Sequence, residues 1–168
     1  MGEFSGARSG QSLEERVGRL EDIEAIQRLK ARYAKYCDNG YDADGMTSLF
    51  VEDASWESNA FGTYHGREEI HRFISSIGRE ILWATHFMIC PNIDIADDGQ
   101  TATGEWYLLE LATMTPRDGG EERDSVVMTA NYRDDFVKVD GEWRLRRVVA
   151  DFKHVSNLDA GWARQQFR

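Results

Sequence analysis

Apolar positions in the first quarter of the chain recur at spacings of three and four: Leu13, Val17, Leu20, Ile23, Ile26, Leu29 and Tyr33. That period lines one face of an α-helix. Ser12 with Glu15 forms a capping box, and Glu14 and Glu15 complement the positive helix start. The pattern predicts a helix over Ser12–Asp38, with a break near Leu20 and a fresh start at Asp22 as the alternative. Asn39-Gly40 supplies a left-handed stop. Tyr41–Val51 reads as a short helix with Met46, Leu49 and Phe50 on one side. Ala54–Glu57 and Gly62–His65 read as a small hairpin, and Arg67–Ile77 as a helix burying Ile70, Phe73, Ile74 and Ile77.

The period then changes. Leu82–Ile95, Thr101–Thr113, Ser125–Val139 and Glu142–Val155 alternate as long strands, with turns at Asp97-Asp98-Gly99 and Asp140-Gly141 and a polar loop over Pro116–Glu121. Pro91 interrupts the first of them, because proline donates no ladder hydrogen bond. Asn157–Phe167 closes the chain as a helix or arm. Helices first and antiparallel strands after give an α+β fold: N-terminal helices packed on a curved antiparallel sheet around a cavity. The reading is one domain over 12–168, preceded by a flexible tail over 1–11.

Composition narrows the function. With 168 residues, 41% hydrophobic and 30% charged, the chain builds its own core. A net charge of −10 argues against nucleic acid as a partner. Arg144 and Arg146 alternate with Leu145 on a strand, as a solvated or subunit-facing surface does. No apolar run is long enough for a membrane helix, and no signal peptide is evident. Cys37 and Cys90 lie far apart and read as free thiols in the core of a cytoplasmic protein. Phosphate loops, a nucleophile elbow and a dinucleotide fingerprint are absent, and His65, His71, His86 and His154 have no metal-ligand spacing, so neither cofactor nor metal is expected.

Four residues carry candidate chemistry. His86 stands on the first long strand, on one face with Met88 and Cys90, where it is either a satisfied core histidine or a pocket base. Asp38 closes the first helix, where the negative helix end repels a carboxylate; it is either a polar turn residue or a placed acid. Tyr33 lies five residues earlier on the apolar stripe, and a buried tyrosine needs a partner for its hydroxyl. Glu110 shares a strand face with Trp106 and Leu108, while Tyr107, Leu109 and Leu111 occupy the other. Both faces are apolar, so both are expected to be covered, and Glu110 must be paired or line a polar pocket. Asp134 and Asp135 read as surface charges beside a turn.

The run from Asp22 to Asp38, with Thr85-His86, Thr101–Tyr107 and Asp140–Trp143, resembles SnoaL-like proteins of the nuclear transport factor 2-like superfamily over about Leu13 to His154. Bile-acid 7α-dehydratase, hexachlorocyclohexane dehydrochlorinase and scytalone dehydratase are the relatives it is similar to. The resemblance implies an α+β cone and a homo-oligomer, a trimer before a dimer. It implies that His86 is a general base oriented by Asp38, that Tyr33 matches a functional tyrosine, and that Glu110 matches an aspartate. Where the bile-acid enzyme has an arginine on the last strand, this chain reads Asp151-Phe152-Lys153-His154, with Lys153 or His154 as substitutes. The expectation is a cofactor-independent dehydratase or dehydrohalogenase acting on a hydrophobic cyclic molecule, with Trp83, Phe87, Met88, Trp106 and Glu110 as its walls. A ketosteroid-type isomerase and a non-catalytic binding protein are the alternatives.

Overall fold

The helical period at the start of the chain folds as one uninterrupted helix, α1 (Leu13–Asp38). The computed structural model describes residues 12–116 and 119–168, and the tail expected at 1–11 lies outside them. The capping box forms: the Glu15 N–H donates to Ser12 Oγ at 3.1 Å, and the Ser12 N–H donates to Glu15 Oε2 at 2.7 Å. There is no break at Leu20. Asp22 does not cap a second helix, because its carboxylate is committed elsewhere: it accepts from Trp143 Nε1 at 2.8 Å and pairs with Lys138 at 2.7 Å. The apolar stripe is buried only from Ile26 onward, whereas Leu13, Val17 and Leu20 are exposed.

A second helix, α2 (Ala43–Thr47), is shorter than expected because Phe50 and Val51 already belong to β1 (Phe50–Ser58). The hairpin partner β2 (Gly62–His65) runs directly into α3 (Gly66–Glu80), which buries Ile70, Ile74 and Ile77. Four long strands follow: β3 (Ile81–Ile95), β4 (Thr101–Met114), β5 (Asp124–Val139) and β6 (Glu142–Asn157). They form one six-stranded sheet in the order β2-β1-β6-β5-β4-β3. Its pairs are antiparallel except β1 with β6, which run parallel. The helices therefore sit on a curved sheet, the α+β arrangement expected from the order of elements. The last residues form an arm rather than a helix, closing with a bridge from Phe167 to Val155.

Pairing of β3 with β4 shifts register between Ile89 and Asn92, around Pro91, and Cys90 adopts a left-handed φ of 55°. The bulge turns Cys90 to the surface, so only Cys37 is the core thiol expected of both. Further shifts between β5 and β6, at Thr129/Ala130 and Asp135/Phe136, bend the sheet around the helices.

Strand alternation decides which side chains meet the helices. On β4, Ala102, Trp106, Leu108, Glu110, Ala112 and Met114 are buried, while Tyr107, Leu109 and Leu111 point outward and are exposed. Among the described residues the cover expected on both faces is thus present on one face only. Asp134 is also not a surface charge. It is buried beneath α1, 2.7 Å from the buried Lys30 ammonium, and neither charged end has another hydrogen-bond partner among the described residues. Lys30 lies over the Tyr132 ring at 3.8 Å and the Tyr33 ring at 4.5 Å. Burial lowers the Lys30 pKa and raises that of Asp134, so each charge depends on the other.

Candidate active site

The end of α1 carries Asp38 to the edge strand β3. Asp38 Oδ1 accepts two hydrogen bonds from one residue: the His86 backbone N–H at 2.9 Å and His86 Nδ1 at 2.8 Å. A carboxylate is only an acceptor, so Nδ1 carries the hydrogen. These two donors offset the repulsion of the helix end, an effect on the order of 0.3–1 kcal/mol. They also satisfy an edge-strand N–H that has no strand beside it. The His86 ring is buried, with 3% of its side chain exposed, while Asp38 keeps 34% and remains in touch with solvent.

Across the β3–β4 ladder His86 pairs with Glu110, on the inner face. Glu110 Oε2 lies 3.2 Å from His86 Nε2, and Glu110 Oε1 accepts from the Tyr41 hydroxyl at 3.2 Å. The imidazole is therefore held between two carboxylates. Burial alone would lower its pKa. The charge of Glu110, the hydrogen bonds to Asp38 and Glu110, and the charge of Asp38 outweigh burial and raise it from 6.5 to about 9. At neutral pH the ring carries both protons.

Tyr41 reaches Glu110 through an unusual turn. After α1 the chain takes two successive left-handed residues, Gly40 (φ 69°) and Tyr41 (φ 56°), and the Tyr41 N–H donates back to Cys37 O at 3.0 Å. α3 crosses this turn at Gly78, where an added Cβ would stand 3.0 Å from Tyr41 Cβ. The ring then sits against His86, centroids 6.0 Å apart. Nothing in the apolar period signals this residue; its position directly after the helix stop is the one sequence cue.

Tyr33 lines the same cavity. Its oxygen accepts from Trp56 Nε1 at 2.8 Å. An indole N–H can only donate, so the Tyr33 hydrogen points elsewhere. Burial raises the pKa of Tyr33, Tyr41 and Tyr132 well above the usual phenol value, which keeps all three as neutral donors. Burial does the same to the Cys37 thiol.

His86, Glu110, Tyr33, Tyr41, Tyr132 and Cys37 form the polar half of the cavity, and the side chains of Met46, Trp56, Phe61, Phe73 and Phe152 contribute to the apolar half. Its volume is about 30 Å³, room for roughly two waters. Of the residues expected at the site, His86, Asp38, Tyr33 and Glu110 come together. The others do not. Trp83 and Phe87 have odd numbers on a strand whose even residue, His86, faces inward, so they stand outside, 54% and 46% exposed. Met88 shares the His86 face and packs on the core without reaching the cavity. Trp106 is buried beside Phe136 and above Lys30. Lys153 pairs with Asp151, and His154 stacks on Trp162 at 5.5 Å; neither lines the cavity.

A profile of the SnoaL-like domain matches residues 18–149. The chain belongs to the SnoaL-like family. Solved structures similar to it include a putative scytalone dehydratase from Novosphingobium aromaticivorans, 22% identical, with 84% of this chain and 91% of that one covered and a TM-score of 0.75. A hexachlorocyclohexane dehydrochlorinase from Novosphingobium barchaimii is 19% identical, covering 85% and 94%, with a TM-score of 0.74. An NTF2-like protein with a cystatin-like fold from Novosphingobium aromaticivorans is 26% identical, covering 95% and 96%, with a TM-score of 0.66. These likenesses place this SnoaL-like chain in the cone-shaped fold.

The raised His86 pKa is also a stability contribution, and its sign is fixed by linkage. A group whose folded pKa lies above its unfolded value stabilises fully below the unfolded value and loses that effect as pH rises through the folded one. Between the ordinary 6.5 and about 9, urea denaturation should report a loss of stability from His86 of about 3 kcal/mol. The same series on His86→Gln should lack that decline; an identical decline in both proteins would assign it to other groups.

Proposed function

We propose that this SnoaL-like protein is a cofactor-independent lyase, a dehydratase or dehydrohalogenase acting on an uncharged, hydrophobic cyclic molecule. The observation that carries the reading is the 2.8 Å bond from His86 Nδ1 to Asp38, which leaves Nε2 on the inner side, beside Glu110 at 3.2 Å in the wall of the Tyr33-lined cavity. Nε2 takes a proton from carbon, the C–H electrons form the double bond, and the neighbouring hydroxyl or halide departs. A departing hydroxide takes the imidazolium proton and leaves as water. Asp38 stabilises the imidazolium, and the neutral Tyr33 hydroxyl donates to a carbonyl or leaving oxygen. Among the described residues the cavity lining holds one carboxylate, Glu110, and no Lys or Arg, while Asp38 binds the imidazole from outside the lining; this favours an uncharged substrate.

Because Glu110 holds Nε2 in its protonated form, the base form is the minority at neutral pH. Turnover therefore rises with pH toward about 9. In a screen of β-hydroxy ketones, sterols and halogenated rings, His86→Gln should lower turnover of the accepted substrate by roughly 10²–10⁴-fold while the thermal transition persists. Undiminished activity would remove His86 from the mechanism.

The same geometry favours a second reading. A buried carboxylate beside a protonated ring suits a ketosteroid-type isomerase, in which Glu110 moves a proton within the substrate and His86 is its positive neighbour. Glu110→Gln, rather than His86→Gln, would then be the variant that abolishes activity.

We further propose a homo-oligomer, trimeric by preference, formed through the outer sheet face. Phe87 pairs with Leu109 and Ile89 with Tyr107 across the β3–β4 ladder, so Trp83, Phe87, Ile89, Tyr107, Leu109 and Leu111 make one continuous apolar surface. The free thiols Cys37 and Cys90 suit a reducing cytoplasm. Sedimentation should find an oligomer, and Leu109→Glu should yield monomers; a monomeric wild-type protein would refute the interface.

A further inference from the structure

The cavity is too small for the cyclic molecule that the proposed lyase reading requires. At about 30 Å³ it holds a couple of waters, so a ring must displace part of the wall. Most of its lining side chains are buried. Among those that are not, Tyr41, Phe61 and Phe73 belong to its rim.

These three are restrained very differently. Tyr41 donates to Glu110 and its backbone turn is pinned by Gly78. Phe73 sits on α3, stacked on Tyr64 at 4.2 Å and tilted against Trp56 at 4.6 Å. Phe61 packs against the core from its edge, and among the described residues its ring meets one other ring, Phe152, edge-on at 5.0 Å. It stands at the tip of the β1–β2 hairpin, next to Gly62 at φ 97°. The backbone of this turn is held in place: Ser58 Oγ accepts from the Ala60 and Phe61 N–H groups, Asn59 exchanges two hydrogen bonds with the Phe152 backbone, and the Tyr64 hydroxyl donates to Phe61 O at 2.8 Å. A side chain on an anchored turn can rotate without moving its strand.

Phe61 also borders a surface groove of about 610 Å³, with Asn59, Ala60, Met114, Val155 and Phe167 among its walls. One aromatic ring thus lies between the interior cavity and a groove many times larger. We propose that Phe61 is the gate of the cavity, and that the groove outside it is the vestibule that receives an uncharged cyclic ligand before its reacting end passes inward. With the ring turned aside, the two spaces join. The part of the ligand too large for the cavity then stays against Met114, Val155 and Phe167.

The gate rests on the lyase reading only for the size of the ligand. Its test reads binding rather than turnover. The probe is 2-naphthol, an uncharged fused ring, followed by stopped-flow fluorescence against the full chain, with Phe61→Ala, Phe61→Trp and a His86→Gln control. A gate limits passage in both directions. Phe61→Ala should therefore raise the association and dissociation rates together, by about tenfold or more, with a much smaller change in Kd. Phe61→Trp should slow both. In the His86→Gln background Phe61→Ala should still raise both rates together by a similar factor, so loss of catalysis and loss of gating are read separately. A thermal melt confirms that the variants fold. Association unchanged in Phe61→Ala, a change confined to dissociation, or no uptake by either wild type or Phe61→Ala would overturn the proposal.

Discussion

Asp38 joins the end of a helix to the edge of a sheet through a single oxygen. Its Oδ1 binds both the backbone N–H and the ring Nδ1 of His86. Each partner meets a need of the other. The carboxylate stands against a negative helix end and requires donors. The edge strand has an unpaired N–H and requires an acceptor. The bond therefore positions α1 over the sheet and sets the imidazole plane in one step. The adjacent turn brings Tyr41 onto Glu110, so the inner carboxylate is placed by the same stretch of chain.

Charge in the interior is arranged in two separate balances. Lys30 and Asp134 neutralise each other under α1, and the ammonium also lies against the faces of Tyr33 and Tyr132. His86 lies between Asp38 and Glu110. The first balance is closed to solvent on both sides. The second has one partially exposed member, Asp38, and one deeply buried member, Glu110. A proton between Nε2 and Glu110 is thus the movable element of the site. In this account the function depends on where that proton rests before a ligand arrives.

Much of this was legible from local pattern. The three-and-four period marked α1, its capping box marked the start, and strand alternation marked β3 to β6. Asp38 stood out because its position opposes the helix dipole; the family resemblance supplied its partner. What the pattern concealed required tertiary contacts. Lys30 and Asp134 each look like surface charges until the helix lies on the sheet. Tyr41 falls outside any periodic stripe and enters the site through a left-handed turn. Trp83 and Phe87 were expected at the pocket because they are aromatic and near His86, but parity on the strand sends them to the opposite face. The apolar outer face of β3 and β4 was legible as apolar. Its cover was not, because no segment of this chain lies over it among the described residues.

The central claim is that the two carboxylates hold His86 doubly protonated at rest. The direct measurement is the pair of ring ¹⁵N chemical shifts of His86 in the unliganded protein, followed from acid to alkaline pH. The account predicts that both nitrogens are protonated at neutral pH and that they titrate together near about 9. A neutral tautomer at neutral pH, titrating at the ordinary histidine value or below it, would contradict the clamp and the rise of turnover with pH that follows from it.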